Sequence, residues 1–224
     1  MTEKQWLAAR GAEYLTDAPN NGKDRRKMRL VACACCRRML QALPPESAFL
    51  GIIEAAENYA DDASVRSDAV AARKPLREAV RKITGKAALS DPLRSAVTAL
   101  IDLTNDVVEG LSMSIEFSRY VLKHPKAMVK TDAKNEQLLQ GHYLRDIFGN
   151  PFRPIAFDPS WRSDTAVSLA KHIYESRDFS AMPILADALQ DAGCDSADIL
   201  GHCRDANQVH VRGCWVVDLV LEKV

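Results

Sequence analysis

Between Cys194 and Trp215 the chain reads CDSADILGHCRDANQVHVRGCW, three thiols and two imidazoles in 22 positions. Thiolate and neutral imidazole are side chains that zinc prefers, and a closed structural zinc site takes four such groups. His202, Cys203, His210 and Cys214 supply that number in the spacing H-C-x6-H-x3-C, with Cys194 upstream. Zinc is the cofactor they would hold. Two features weigh against it. Neighbours on a helix diverge by about 100°, which separates His202 from Cys203, and no C-x2-C knuckle is present. The same residues have two further readings. Ile199, Leu200 and Cys203 share a helical face, as buried core thiols do. Cys214, four residues after His210 and two after Arg212, has the neighbours of an activated thiol. The spacing leaves all three open.

The other chemistry-bearing residues are weaker signals. Cys33 and Cys35 point about 160° apart on a regular helix and cannot share an ion, so Cys35 reads as a core side chain between Val31 and Met39. Arg119-x4-His124 and Arg204-x5-His210 fit the loose pattern of helical HEPN ribonucleases, a pattern short enough to recur by chance. Asp187 and Asp191 share a helix face, as Mg²⁺-binding carboxylates do, yet no second acidic motif joins them. There is no phosphate-binding glycine loop, dinucleotide fingerprint or HExxH motif. Arg26, Arg37 and Arg38, with Lys23 and Lys27, lie opposite Met28 and Cys35. They form a basic face that would grip phosphates or, the favoured reading, stand solvated or paired with carboxylates. Arg145 and Arg153 are candidates for an anion or a partner, although Arg153 also suits bonding to loop carbonyls.

Helical spacing positions these residues almost throughout. In 22–43, Met28, Val31, Ala32, Cys35, Met39 and Leu43 make one apolar stripe. Pro44 and Pro45 stop that helix, and Glu46 opens the next, with Phe49, Ile52, Ile53, Ala56 and Tyr59 inward. Residues 63–88 have weak periodicity and Pro75 as an interruption. Asp91-Pro92 opens a single long helix carrying Leu93, Val97, Leu100, Val107, Leu111, Ile115 and Leu122, which ends before His124-Pro125. A helix over 133–147 stops at Gly149. The segment FGNPFRPIAFDPSW (148–161) is extended and buries its aromatic rings. Helices return at SDTAVSLAKHIYESRDF, at MPILADALQDAGC and at DSADILGHCR with Asp195 as N-cap. GCWVVDLVLEKV is a strand or a short helix.

The expected fold is therefore all-α, an irregular helical bundle. Its amino-terminal part is 1–147, its connecting loop 148–161 and its carboxyl-terminal part 162–224, packed as one unit. The charge balance is neutral, with 30 basic and 30 acidic residues, so no global field selects a partner. The ends differ: net +5 over 1–44 and −5 over 158–224, which suits mutual attraction within the fold. No export signal or membrane-length apolar run is visible, so cytoplasmic location and reduced thiols are the expectation.

Several stretches in the same order carry a resemblance: EKQWLA, RKMRLVACACCRRML, YLRDIFGNPFRPIAFDPSW, PILADALQDAGCDSADILGHCR and HVRGCWVVDLVL. Together they resemble a bacterial family that occurs as many paralogues, some joined to other domains. The resemblance covers most of the chain, residues 63–135 excepted. It implies no reaction and no ligand. It does imply that Cys35, Arg145, Asp146, Asn150, Arg153, Trp161, His202, Cys203, His210, Cys214 and Trp215 belong to recurring motifs, and that GNPFRP packs against RGCW. The reading that follows is a non-enzymatic interaction or regulatory module. It would engage a protein partner or a second copy of itself, with nucleic acid disfavoured and no membrane contact. Zinc binding through the His/Cys set, or nucleic-acid binding through the helix at 22–43, are the alternatives.

Overall fold

A computed structural model describes residues 1–8, 24–85, 87–88, 90–106, 108–124 and 133–223, the side chains of 108 and 133 excepted. Lys23, Val107 and Pro125, used above, lie outside the described residues. The described residues are helical with no strand, an all-α fold. None of their helices is long and apolar enough to cross a membrane. Contacts divide the chain into two compact units, Met1–Gly141 and His142–Val224.

The first unit contains α1 (Glu3–Leu7), α2 (Arg25–Met39), α3 (Ser47–Asp61), α4 (Arg66–Ala71), α5 (Arg73–Thr84), α6 (Asp91–Asp102) and α7 (Val108–Lys123). The start of α8 (Ala133–Phe148) also belongs to it. Its centre is α2, packed chiefly by α3 and α7. The one-sided stripe expected for α2 is too narrow: every residue from Met28 to Cys36 is buried, Cys33 and Cys36 included. Alanine and cysteine in VACACC are small enough for neighbouring helices to approach on more than one side. Arg37 and Arg38 continue the helix into partnered positions, described below. Pro75 falls in the first turn of α5, where proline is tolerated.

The single long helix expected from Asp91 is instead a hairpin of α6 and α7, broken after Asp102. The reason is local competition for the backbone. Thr104 Oγ1 donates to the Ile101 carbonyl at 2.8 Å, and Asn105 Nδ2 donates to Asp102 at 2.9 Å. Carbonyls released at the break are captured by Arg29, which is 4% exposed. Its Nε donates to Leu103 O at 3.0 Å and its Nη2 to Asn105 O at 2.8 Å. Apolar periodicity runs through both helices because both bury a stripe, so period alone hides the turn.

The second unit contains the end of α8, then α9 (Asp164–Ser176), α10 (Met182–Asp191), α11 (Ala197–Arg204) and α12 (Trp215–Leu221). Its core is a layer of small and branched side chains, with Ala166, Ala170, Ile173, Leu185, Leu189 and Val217 at its centre. Residues 149–158 carry no helix or strand and lead into one short 3₁₀ turn at Pro159–Trp161. The rings expected to be buried there are only half-buried. Ile155, Phe157 and Trp161 lie against the core edge, with Phe157 and Trp161 meeting edge to face at 5.4 Å. The N-cap of α11 is Ser196 rather than Asp195: its hydroxyl accepts from Ile199 N. The last segment is a helix, not a strand.

Candidate metal centre

Four side chains from four places in the second unit converge: Asp146, His202, His210 and Cys214. Asp146 lies in the last turn of α8, three residues after Tyr143 and next to Ile147, so it faces the buried side of the helix with them. His202 sits on α11, whose core-facing positions are Ile199 and Cys203. A turn at Asp205, which accepts from Asn207 N at 2.9 Å, starts the segment bearing His210. Gly213, at φ 93°, reverses the chain so that Cys214 becomes the N-cap of α12.

The ligand atoms lie within 4.8 Å of one another. His202 Nε2 is 3.2 Å from Cys214 Sγ and 3.2 Å from Asp146 Oδ1. His210 Nδ1 is 2.8 Å from the same Oδ1 and 3.8 Å from Cys214 Sγ. In a tetrahedron with usual zinc–nitrogen and zinc–sulfur bonds, ligand atoms stand about 3.3–3.6 Å apart. The four observed separations straddle that range. The second Asp146 oxygen accepts from Val211 N at 2.8 Å, which fixes the carboxylate with Oδ1 facing both imidazoles. Aromatic rings back the imidazoles: His210 stacks on Phe179 with centroids 6.0 Å apart, and His202 meets Trp215 at 5.0 Å. Asp146 and Cys214 are fully buried, and the side chains of His202 and His210 are 12% and 6% exposed.

Electrostatics fit a cation. Burial alone would raise the Asp146 pKa, but the hydrogen bonds and charges of His202 and His210 hold it below the usual carboxylate range. Burial drives the Cys214 thiol well above its ordinary value, and Asp146 adds to this. The Val216 and Val217 amides oppose that rise by bonding to the sulfur, an arrangement that favours a metal-held thiolate. One carboxylate and one thiolate balance a divalent ion, leaving a neutral buried site.

Three of the four residues singled out by spacing are thus brought together, and Cys203 is not among them. It is 2% exposed in the core beside Ile199, with its pKa pushed up to about 12, first by burial and then by Asp146. Cys194, Cys33, Cys35 and Cys36 are also buried thiols. Asp146 takes the fourth place. Its signal in the sequence is a carboxylate among apolar positions, between Tyr143, Leu144 and Ile147.

The arginine candidates fall elsewhere. Arg26 pairs with Asp61 at 3.1 Å, Arg37 with Glu57 through two 2.8 Å bonds, and Arg38 with Glu136 at 2.8 Å. Arg145 is half-buried and Arg153 exposed. Arg119 pairs with Glu116, while Arg204 donates to Asp187 at 2.5 Å and Gln190 at 2.7 Å. Asp187 is therefore an ion-pair partner on the surface. Compared with protein-family models, with curated proteins and with solved structures, the chain finds no match in any of the three.

Proposed function

We propose that the chain is a zinc-binding helical protein whose metal is structural, and that it acts as a non-enzymatic interaction or regulatory module. The observation that carries the first part is the convergence of Asp146, His202, His210 and Cys214, whose ligand atoms lie within 4.8 Å of one another. A catalytic zinc keeps an open position for water or substrate, whereas a structural one takes four protein ligands. Here the protein supplies four, all buried or nearly so. The module reading rests on the family resemblance, whose paralogues join other domains. A reactive-thiol role is disfavoured because Cys214 is fully buried with a raised pKa. Phosphate gripping by α2 is disfavoured because Arg26, Arg37 and Arg38 each face a carboxylate.

Elemental analysis of tag-free protein purified with zinc present tests the metal. About one zinc per chain is expected, lost in Cys214→Ala and His210→Ala and kept in Cys203→Ser. Absence of stoichiometric zinc in the unaltered protein, or equal retention in all three variants, overturns the reading.

A further inference from the structure

Gly149 follows Asp146 by three residues and ends α8 with φ 65°, in the left-handed region where glycine alone is unstrained. Its Cα lies against the ring of Trp215. A Cβ placed there would sit 3.3 Å from Trp215 Cγ, 3.5 Å from Cδ2 and 3.6 Å from Cβ. Trp215 in turn touches two ligands by different routes. It is bonded to Cys214 along the chain, and its ring is 5.0 Å from that of His202. GNPFRP and RGCW therefore meet at one contact, and three ligand-bearing segments are joined there.

We infer that Gly149 and Trp215 are the positioning pair of the metal centre: the bare glycine backbone lets the indole seat where it holds His202 and Cys214 within reach of one ion with Asp146. The inference rests on the zinc reading above. Its physical basis is a comparison of lengths. A Cβ at 149 forces Trp215 to move by a few tenths of an ångström, and metal–ligand bonds hold their lengths to about 0.2 Å. A shift of that size reaches both His202 and Cys214 while deleting neither. Supporting residues around metal ligands typically change affinity by about 10–100-fold.

Gly193 provides the control. It also has positive φ, 92°, at the end of a helix in the same unit, but a Cβ there meets nothing within 4 Å. Gly149→Ala and Gly193→Ala thus both place alanine at a positive φ and differ in the ring contact. Zinc affinity is measured by competition with a chromophoric chelator, and the protein is loaded with Co²⁺ to record the thiolate-to-metal charge-transfer and d–d bands. The expected result is that Gly149→Ala binds zinc at least tenfold more weakly than Gly193→Ala and shows altered Co²⁺ bands. Equal affinity and equal spectra in the two variants overturn the inference. If Gly149→Ala does not fold, Trp215→Phe decides, since it trims the wall against His202 without straining the backbone. Weakened binding with helicity intact supports the pair, and unchanged binding overturns it. Failure of the unaltered protein to bind either metal is a separate result that removes the zinc reading itself.

Discussion

Burial acts on the Asp146 carboxylate and the Cys214 thiol in the same sense, and their neighbours decide the outcome. Two histidines hold Asp146 ionised, whereas Cys214 has that negative charge beside it and keeps its proton until a cation arrives. Metal uptake must displace the thiol proton, so zinc affinity should rise about tenfold per pH unit from about pH 6 to pH 8 for that one proton. Chelator competition across that range checks it, and a flat profile would mean that Cys214 is not a ligand. The depressed Asp146 pKa gives a dependence of the same sign, in a more acidic range. Its contribution to stability is present above the unfolded carboxylate value near 3.9 and is lost as pH falls through the folded one. At this scale the sequence was half informative. Spacing pointed to His202, Cys203, His210 and Cys214; the structure groups three of them, and Cys203 follows the competing reading that its helical face with Ile199 and Leu200 offered, as a buried core thiol. Asp146 was hidden by distance, 64 residues from His210.

Among the helices, the pairing of α2 with α3 shows how a basic face is absorbed. Glu57 is 2% exposed, and Arg37 at 25% covers it with two parallel bonds. Removing the arginine takes both of these bonds from a buried carboxylate, a loss of up to about 3–5 kcal/mol. Arg37→Ala should therefore lower the urea midpoint by a corresponding amount, and Arg37→Met combined with Glu57→Leu should recover most of it. If the single variant costs less than about 1 kcal/mol, the value of an exposed pair, Glu57 is not desolvated as described. Helix boundaries set by capping and proline were legible, as at Pro44, Asp91 and Gly149. The turn between α6 and α7 was not, since what stabilises it is Arg29, about 75 positions away in sequence. Thr104 and Asn105 are visible in the local pattern, but the guanidinium that donates to the carbonyls at the break is not.

For the molecule as a whole, the buried thiols impose an alkaline limit. Burial raises the pKa of Cys35, Cys36, Cys203 and Cys214. Above about pH 8.5 the unfolded chain releases these protons while the folded one keeps them. The unfolded state then binds fewer protons, so stability falls with rising pH, by about 1.4 kcal/mol per thiol per pH unit. Denaturant midpoints at successive alkaline pH values should decline steeply in metal-free protein. Zinc-loaded protein should decline less, because Cys214 is already a thiolate there. Equal slopes would separate Cys214 from the metal.

The wide spacing of Asp146 from its partners also has a meaning in time. Synthesis proceeds at about 5–20 residues per second, so Asp146 leaves the ribosome roughly 3–13 s before His210, which is 64 residues behind it. Until His202 emerges, 56 residues behind it, the carboxylate that is buried in the second unit has neither of its two histidines to hold it. The end of α8 must wait in water, and the second unit can close only once the RGCW turn has emerged. A nascent chain probed by protease at successive lengths should therefore gain protection of this unit in one late step.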